Sequence, residues 1–284
     1  MQAIRDVYHL LRWRLIAVRY LGKIRRYLTA PALPRRTADR GNGDSALARQ
    51  GHAPGPRIAD AELDQIRAIY GPRAAAVVPT ETGHPFVNLM RAEDIHSDNP
   101  VMRFAFSREV LDGARDYFGD DFRYDSIQVL YSFPTAGSLR ESQMWHRDYG
   151  DTKSFHCVAY VNDVLEPEDG PFVFVDRNDA KRIASAPIIR RIPDEKFRKE
   201  LGDGQVRSFF GKAGESVFVD PSACYHFGSR CERARTAIFV TFNTHRPFVA
   251  AYPLMRENRQ KLIATAKAIR PDLSHDYIER ILSV

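Results

Sequence analysis

Three cysteines in 284 residues, Cys157, Cys224 and Cys231, are too few for a disulfide framework, and no CxxC pair occurs. An odd, irregularly spaced set excludes the disulfide-stapled class and points to a reducing compartment. Internal repeats and low-complexity tracts are missing, which excludes solenoids and fibrous chains. Acidic residues are nearly absent from residues 1–30, where seven basic side chains face Asp6 alone. That excess equals the formal net charge of the whole chain, +6, so the other 254 residues are balanced. A nucleic-acid-binding domain wants a basic face on its folded body, and that reading is therefore not favoured.

What is present suits a globular protein. Hydrophobic residues make up 44% and charged residues 27%, enough apolar material for a sizeable core in one large domain or two small ones. Residues 4–28 contain no proline and only Gly22, so they read as a helix. Arg5, Arg12, Arg19 and Arg26 recur every seven residues along one side, beside an apolar arc of Ile4, Val7, Leu11, Leu15 and Val18. The longest apolar run there, Leu15-Ile16-Ala17-Val18, is far short of the roughly 20 residues of a spanning helix and is no secretory signal. A basic amphipathic helix lying on an anionic membrane surface fits best. Packing on the body or on a second subunit is the plainer alternative, and the scarcity of serine disfavours a transit peptide.

Residues 31–59, broken by Pro31, Pro34, Gly41, Gly43, Gly51, Pro54, Gly55 and Pro56, read as a linker or a wrapping loop. Residues 60–284 form the main domain. Asp60 is placed to cap a helix carrying Leu63, Ile66 and Ile69 that stops at Gly71-Pro72, and Ser107 to cap a second ending before Gly119. Strand-like runs follow at 127–133, 155–161, 172–175, 216–219 and 236–242, and helices return over 252–283, with 254–268 as one segment. Helices, then many short strands, then helices again is not the alternation of a parallel α/β sheet. The expected fold is mainly β with flanking helices, a jelly roll or sandwich centred on about 126–243.

Chemistry concentrates in Trp145-His146-Arg147-Asp148. On an extended chain His146 and Asp148 point to the same side, offering a nitrogen and an oxygen to one point. The spacing recurs at His96-Ser97-Asp98, so by itself it means little. His226, on a distant strand, would complete the two-histidine, one-carboxylate set of non-haem Fe(II) oxygenases. Arg233 and Arg235 introduce the next strand, where a guanidinium suits a clamp on a cosubstrate carboxylate.

These residues, with Val161-Asn162-Asp163, Glu168-Asp169-Gly170-Pro171-Phe172-Val173-Phe174-Val175 and Arg235-Thr236-Ala237, resemble the phytanoyl-CoA dioxygenase-type enzymes. Those are Fe(II)- and 2-oxoglutarate-dependent oxygenases with a double-stranded β-helix (cupin-like) core, and the resemblance covers about 128–242. It implies His146, Asp148 and His226 as iron ligands, Arg235 as the clamp on 2-oxoglutarate, and O2 as co-reactant. Two departures stand out. Asp176-Arg177-Asn178-Asp179 occupies the place of a common Gly-Ser-His, and Arg235 lies nine residues past His226, slightly close, which keeps Arg233 as a rival clamp. Gln128 and Tyr131, on the preceding strand, are candidates to complete the cosubstrate pocket, and Trp145 to wall it. The basic extension joined to this core is similar to that of bacterial 3-deoxy-D-manno-octulosonic acid (Kdo) 3-hydroxylases. That implies an acidic, lipid-linked sugar as substrate and a cytoplasmic enzyme peripheral on the inner membrane face.

Rival readings are weaker. His146-Arg147-Asp148 spells the kinase tripeptide, but Lys153 stands where the metal-binding asparagine belongs and no glycine-rich loop precedes it. Cys224, His226 and Cys231 are irregularly spaced for zinc. His84, His96, His156, His245 and His275 read as surface or satisfied core histidines. Hydroxylation of a fatty-acyl or other small metabolite, and a non-enzymatic cupin-like glycan- or lipid-binding module, remain alternatives; a homo-oligomer is left open.

Overall fold

The computed structural model describes residues 45–134, 137–148, 150–151, 153–183, 191–245, 247 and 249–283. The basic segment at 1–30 lies outside the described residues. In chain order the elements are α1 (Ala46–Gln50), β1 (His52–Pro54), α2 (Asp60–Ala75), β2 (Phe86–Asn88), α3 (Pro100–Ala105), α4 (Arg108–Phe118), β3 (Arg123–Ser132) and β4 (Ser154–Tyr160). Then come β5 (Phe172–Val175), α5 (Arg177–Ala180), α6 (Asp194–Leu201), β6 (Val206–Phe209), β7 (Ser216–Val219), β8 (His226–Phe227), β9 (Arg235–Asn243), α7 (Pro253–Glu257), α8 (Arg259–Ile269) and α9 (His275–Ile281).

The strands form two antiparallel sheets, a major one ordered β1-β7-β4-β9-β3-β2 and a minor one ordered β6-β5-β8. Period-two alternation assigns the two faces of the major sheet. Phe155, Cys157 and Ala159 of β4, Ile238, Val240 and Phe242 of β9, and Ile127 and Val129 of β3 all belong to one core shared with the helices. That core takes Leu63 and Ile66 from α2, Val110 and Leu111 from α4, and Leu262 and Ile263 from α8. The opposite face, carrying Ser126, Gln128, His156, Arg235 and Thr241, looks into the cavity between the sheets. A second core of Trp145, Val173, Val175, Ile192, Phe197 and Tyr225 involves the minor sheet. Helices thus cover one face of the major sheet and leave the other for chemistry.

Four local expectations differ from the structure. Residues 45–54, expected within a linker or wrapping loop, hold regular structure: Ser45 caps α1 through a 3.1 Å bond to the Ala48 amide, and β1 adds an edge strand to β7. The sheet therefore begins before 126. Asp60 is the first residue of α2 rather than its cap, and its carboxylate pairs with Arg57 at 2.8 Å. The helix also continues through Gly71-Pro72 to Ala75. Proline there removes one backbone bond, but tertiary anchors hold the last turn. Asp94 receives the Arg73 guanidinium in two bonds of 2.5 and 2.9 Å, and the Tyr70 hydroxyl accepts from Asn99 at 3.1 Å. Finally, the C-terminal segment is two helices broken at Asn258, whose side chain donates to the Leu254 carbonyl at 2.9 Å. Ser107 caps α4 as expected, and Ser274 caps α9. No helix among the described residues is long and apolar enough to cross a membrane.

Candidate metal centre and cosubstrate pocket

His146 and His226 face one another across a bridge in which each amide donates to the other's carbonyl, at 3.0 and 2.8 Å. The Asp148 amide donates to the Pro221 carbonyl at 2.8 Å, beside that bridge. Backbone pairing therefore places all three residues before any side chain is considered. Extended geometry then sends His146 and Asp148 one way and their odd-numbered neighbours the other. Trp145 stacks on Phe197 with ring centroids 4.0 Å apart, and Arg147 covers the Tyr225 ring. Trp145 is thus buried behind the site and does not wall the pocket.

The ligand-type atoms of His146, Asp148 and His226 lie within 4.8 Å of one another, the one such cluster of His, Cys, Asp and Glu among the described residues. Asp148 Oδ1 sits 3.7 Å from His146 Nε2 and 3.9 Å from His226 Nε2. Each histidine turns Nδ1 to a backbone carbonyl, Met144 at 2.8 Å and Cys224 at 3.1 Å. With Nδ1–H donating there, the Nε2 lone pairs face the common point. Burial pushes both imidazoles below their ordinary pKa, that of His146 strongly, which favours the neutral, ligating form. For Asp148, burial opposes ionisation, but the bond from His156 and the electrostatic pull of the neighbouring imidazoles outweigh it and hold the carboxyl well below its ordinary range. Two neutral imidazoles and a carboxylate suit a divalent first-row metal.

His156, a satisfied core histidine as expected, has a place in this site that sequence did not suggest. Its Nε2 bonds Asp148 Oδ2 at 3.0 Å, and its Nδ1 pairs with the Thr241 hydroxyl at 2.9 Å. The Asp148 carboxylate is therefore oriented with Oδ1 left toward the two ligand-type nitrogens. His156→Ala is expected to lower Fe(II) affinity about 10–100-fold, the usual effect of losing such a support. Metal titration of the folded variant checks this; unchanged affinity would make His156 a packing residue only. The signal available beforehand was parity, since His156 lies on the inward-facing register of β4.

A cavity of about 410 Å³ opens from this cluster, and Gln128, Ser229 and Arg235 line it. Arg235 is 1% exposed. Its guanidinium donates to the Gly170 carbonyl and lies 3.4 Å from both Ser132 Oγ and Ser229 Oγ. Its Nε, though buried, has no hydrogen-bond partner, and no carboxylate among the described residues pairs with it. Arg233 is elsewhere: its side chain is 58% exposed and ion-paired to Asp169 at 2.6 Å. A single residue separates them, yet only Arg235 is within β9 and turned inward. Gln128 lines the cavity and Tyr131 does not, since Tyr131 packs toward the helical core. Three residues apart on a strand means opposite faces, so the two could never share the pocket.

The remaining motifs do not converge. Cys224 directs its thiol to the Gly51 carbonyl and Cys231 to that of Phe133, away from any shared site with His226. All three cysteines are free and buried. His96 and Asp98 lie in a turn, and His245 pairs with Asp121 at 3.0 Å. His84 is exposed at the rim of the cavity.

No family model matches the chain, and no curated protein matches it. Solved structures do. HygX from Streptomyces hygroscopicus with nickel and 2-oxoglutarate bound aligns at TM-score 0.48 and 14% identity, covering 72% of this chain and 87% of that chain. SnoN, a non-heme alpha ketoglutarate dependent epimerase from nogalamycin biosynthesis, aligns at 0.47 and 15%, covering 70% and 78%. EctD from S. alaskensis, crystallised with 2-oxoglutarate and 5-hydroxyectoine, aligns at 0.51 and 18%, covering 76% and 81%. With EctD this chain shares its fold, two β-sheets buttressed by helices, the double-stranded β-helix core expected from the sequence.

Proposed function

We propose that this protein is an Fe(II)- and 2-oxoglutarate-dependent dioxygenase that hydroxylates an unactivated C–H bond. The observation that carries the reading is the convergence of His146, Asp148 and His226 beside a cavity that also contains a buried arginine with no carboxylate partner. The donor set fits Fe(II), and the Arg235 guanidinium, with the Ser132 and Ser229 hydroxyls beside it, fits the distal carboxylate of 2-oxoglutarate. The bound 2-oxoglutarate of EctD supports the same cosubstrate here. Iron and 2-oxoglutarate together supply oxidation of C–H by O2. The chain's own contribution is to hold the cosubstrate at Arg235 and to fix the carboxylate of Asp148 through His156.

As substrate we propose the Kdo sugar of lipid A-linked lipopolysaccharide inner core, met at the inner membrane face with help from the basic segment at 1–30. Support comes from the sequence resemblance and from Ser126, Ser154 and Asn243, which bring polar groups to a cavity also lined by Phe86, Leu130, Phe172, Phe239 and Val249. Purified protein with Fe(II), 2-oxoglutarate, O2 and lipid A-linked inner core is expected to form succinate together with a sugar product one oxygen heavier by mass spectrometry. No succinate above background would overturn the enzymatic reading. Succinate formed with other acceptors, but no added oxygen on the sugar, would overturn the substrate alone.

A further inference from the structure

The ladder between β3 and β9 breaks once. Tyr124 pairs with Phe242 and Ser126 with Thr241, so Asp125 has no partner residue on β9. Tyr124 points to the helical core, where its hydroxyl donates to the Ala105 carbonyl at 2.7 Å. In the register set by Ile127 and Val129, Asp125 would face the helical core; the extra residue turns it to the cavity beside Ser126. The bulge is anchored from outside, for the Asp125 carbonyl accepts from the Tyr252 amide at 2.9 Å, at the start of α7. A helix thus holds in place a kink that aims a carboxylate inward.

That carboxylate sits in a one-way chain of donors. The Ser154 hydroxyl donates to Asn243 Oδ1 at 2.5 Å, which leaves the Asn243 amide to donate to Asp125. Asp125 Oδ1 is nonetheless buried without a hydrogen-bond partner. A buried acceptor left unmatched is unfavourable and calls for a donor from the cavity. Strand register places this group far from the clamp. Asn243 is eight residues beyond Arg235 on β9, about 26 Å along the strand. Thr241, which touches His156 and through it Asp148, lies in between.

We propose that Asp125, with Ser126 and Asn243, forms a substrate-specificity subsite that accepts hydrogen bonds from the hydroxyls of a polyhydroxylated, sugar-like substrate. The proposal rests on the oxygenase reading and names the end of the cavity that selects its substrate. Hydroxyls suit the site better than an ammonium group, because a hydroxyl can donate to Asp125 and also accept from Ser126, whereas an ammonium only donates. An acyl chain satisfies neither.

The test is calorimetric, under anaerobic conditions, on wild type and Asp125→Asn loaded with Fe(II) and 2-oxoglutarate. The ligands are free 3-deoxy-D-manno-octulosonic acid and, in parallel, dodecanoate, a carboxylate without hydroxyls. The expected result is that the variant binds metal and 2-oxoglutarate like wild type but binds the sugar acid about 10–100-fold more weakly, the loss of a hydrogen bond to a charged acceptor. Any affinity for dodecanoate is expected to be the same in both proteins. Equal binding of the sugar acid by the two proteins, no saturable binding of it to wild type, or an equal loss for dodecanoate would each overturn the proposal. Sugar binding that depends on Asp125 in a protein that takes up no 2-oxoglutarate would keep the subsite and sink the oxygenase reading instead.

Discussion

Replacing His226 with alanine is expected to abolish turnover and to lower Fe(II) affinity by more than about a hundredfold, beyond what loss of an outer support does. The reason lies in how little else the imidazole holds. Its Nδ1 meets only the Cys224 carbonyl, and its ring lies against Phe172 at 5.3 Å and His146 at 4.2 Å. The pairing of this segment with His146 runs through backbone atoms, which alanine keeps. The variant should therefore fold, with unchanged circular dichroism, while losing one of the three donor groups. Metal titration by calorimetry separates the two effects. A folded variant with wild-type affinity would show that the three side chains converge without serving as a metal site.

Arg235→Met is expected to reduce 2-oxoglutarate affinity by about two to four orders of magnitude, the effect of removing one side of a buried ion pair worth roughly 3–5 kcal/mol. Without cosubstrate the same change should leave stability unchanged or raise it. Arg235 is buried with a charge that no carboxylate among the described residues answers, and a buried unpaired charge is unfavourable. Its contacts with the Gly170 carbonyl, Ser132 and Ser229 offset part of that desolvation. Methionine fills a similar volume without it. Thermal denaturation with and without 2-oxoglutarate reads both halves. Wild type should melt at higher temperature as ligand is added, and the variant should start at least as high and not respond. A variant that melts lower and still responds would place the clamp elsewhere. The parallel change Arg233→Met should do neither, since that side chain lies outside with Asp169.

Residue order and type made the fold class legible. Short strands bounded by glycine and proline, set between two helical regions, allow few architectures, and each run keeps its inward and outward residues by parity alone. His146 and Asp148 were legible as a pair, because a histidine and carboxylate two apart share a side on any extended chain, and His226 as a third donor on a distant strand. His96 and Asp98 have the same spacing and lie in a turn. The difference between the pairs is the backbone exchange with His226, a contact across 80 residues of chain. Where sequence misled, it did so at elements that neighbours hold. Gly71-Pro72 should end a helix, but Asp94 grips Arg73 beyond it. The proline- and glycine-rich stretch before residue 60 should be a linker, but β7 has an open edge that β1 fills.

The local pattern was therefore enough to single out side chains that converge in the fold, since side-chain type and strand parity are properties of a few consecutive residues. Which way an arginine near a strand end turns is not such a property. Arg233 and Arg235 are chemically alike, and only the start of β9 and the closeness of Gly170 bring one inside. Gln128 and Tyr131 were separable by parity, Trp145 and His146 likewise. Asp125 was not separable at all. Its inward turn comes from a bulge that α7 secures from the far end of the chain, and contacts between distant segments are decided by packing in three dimensions.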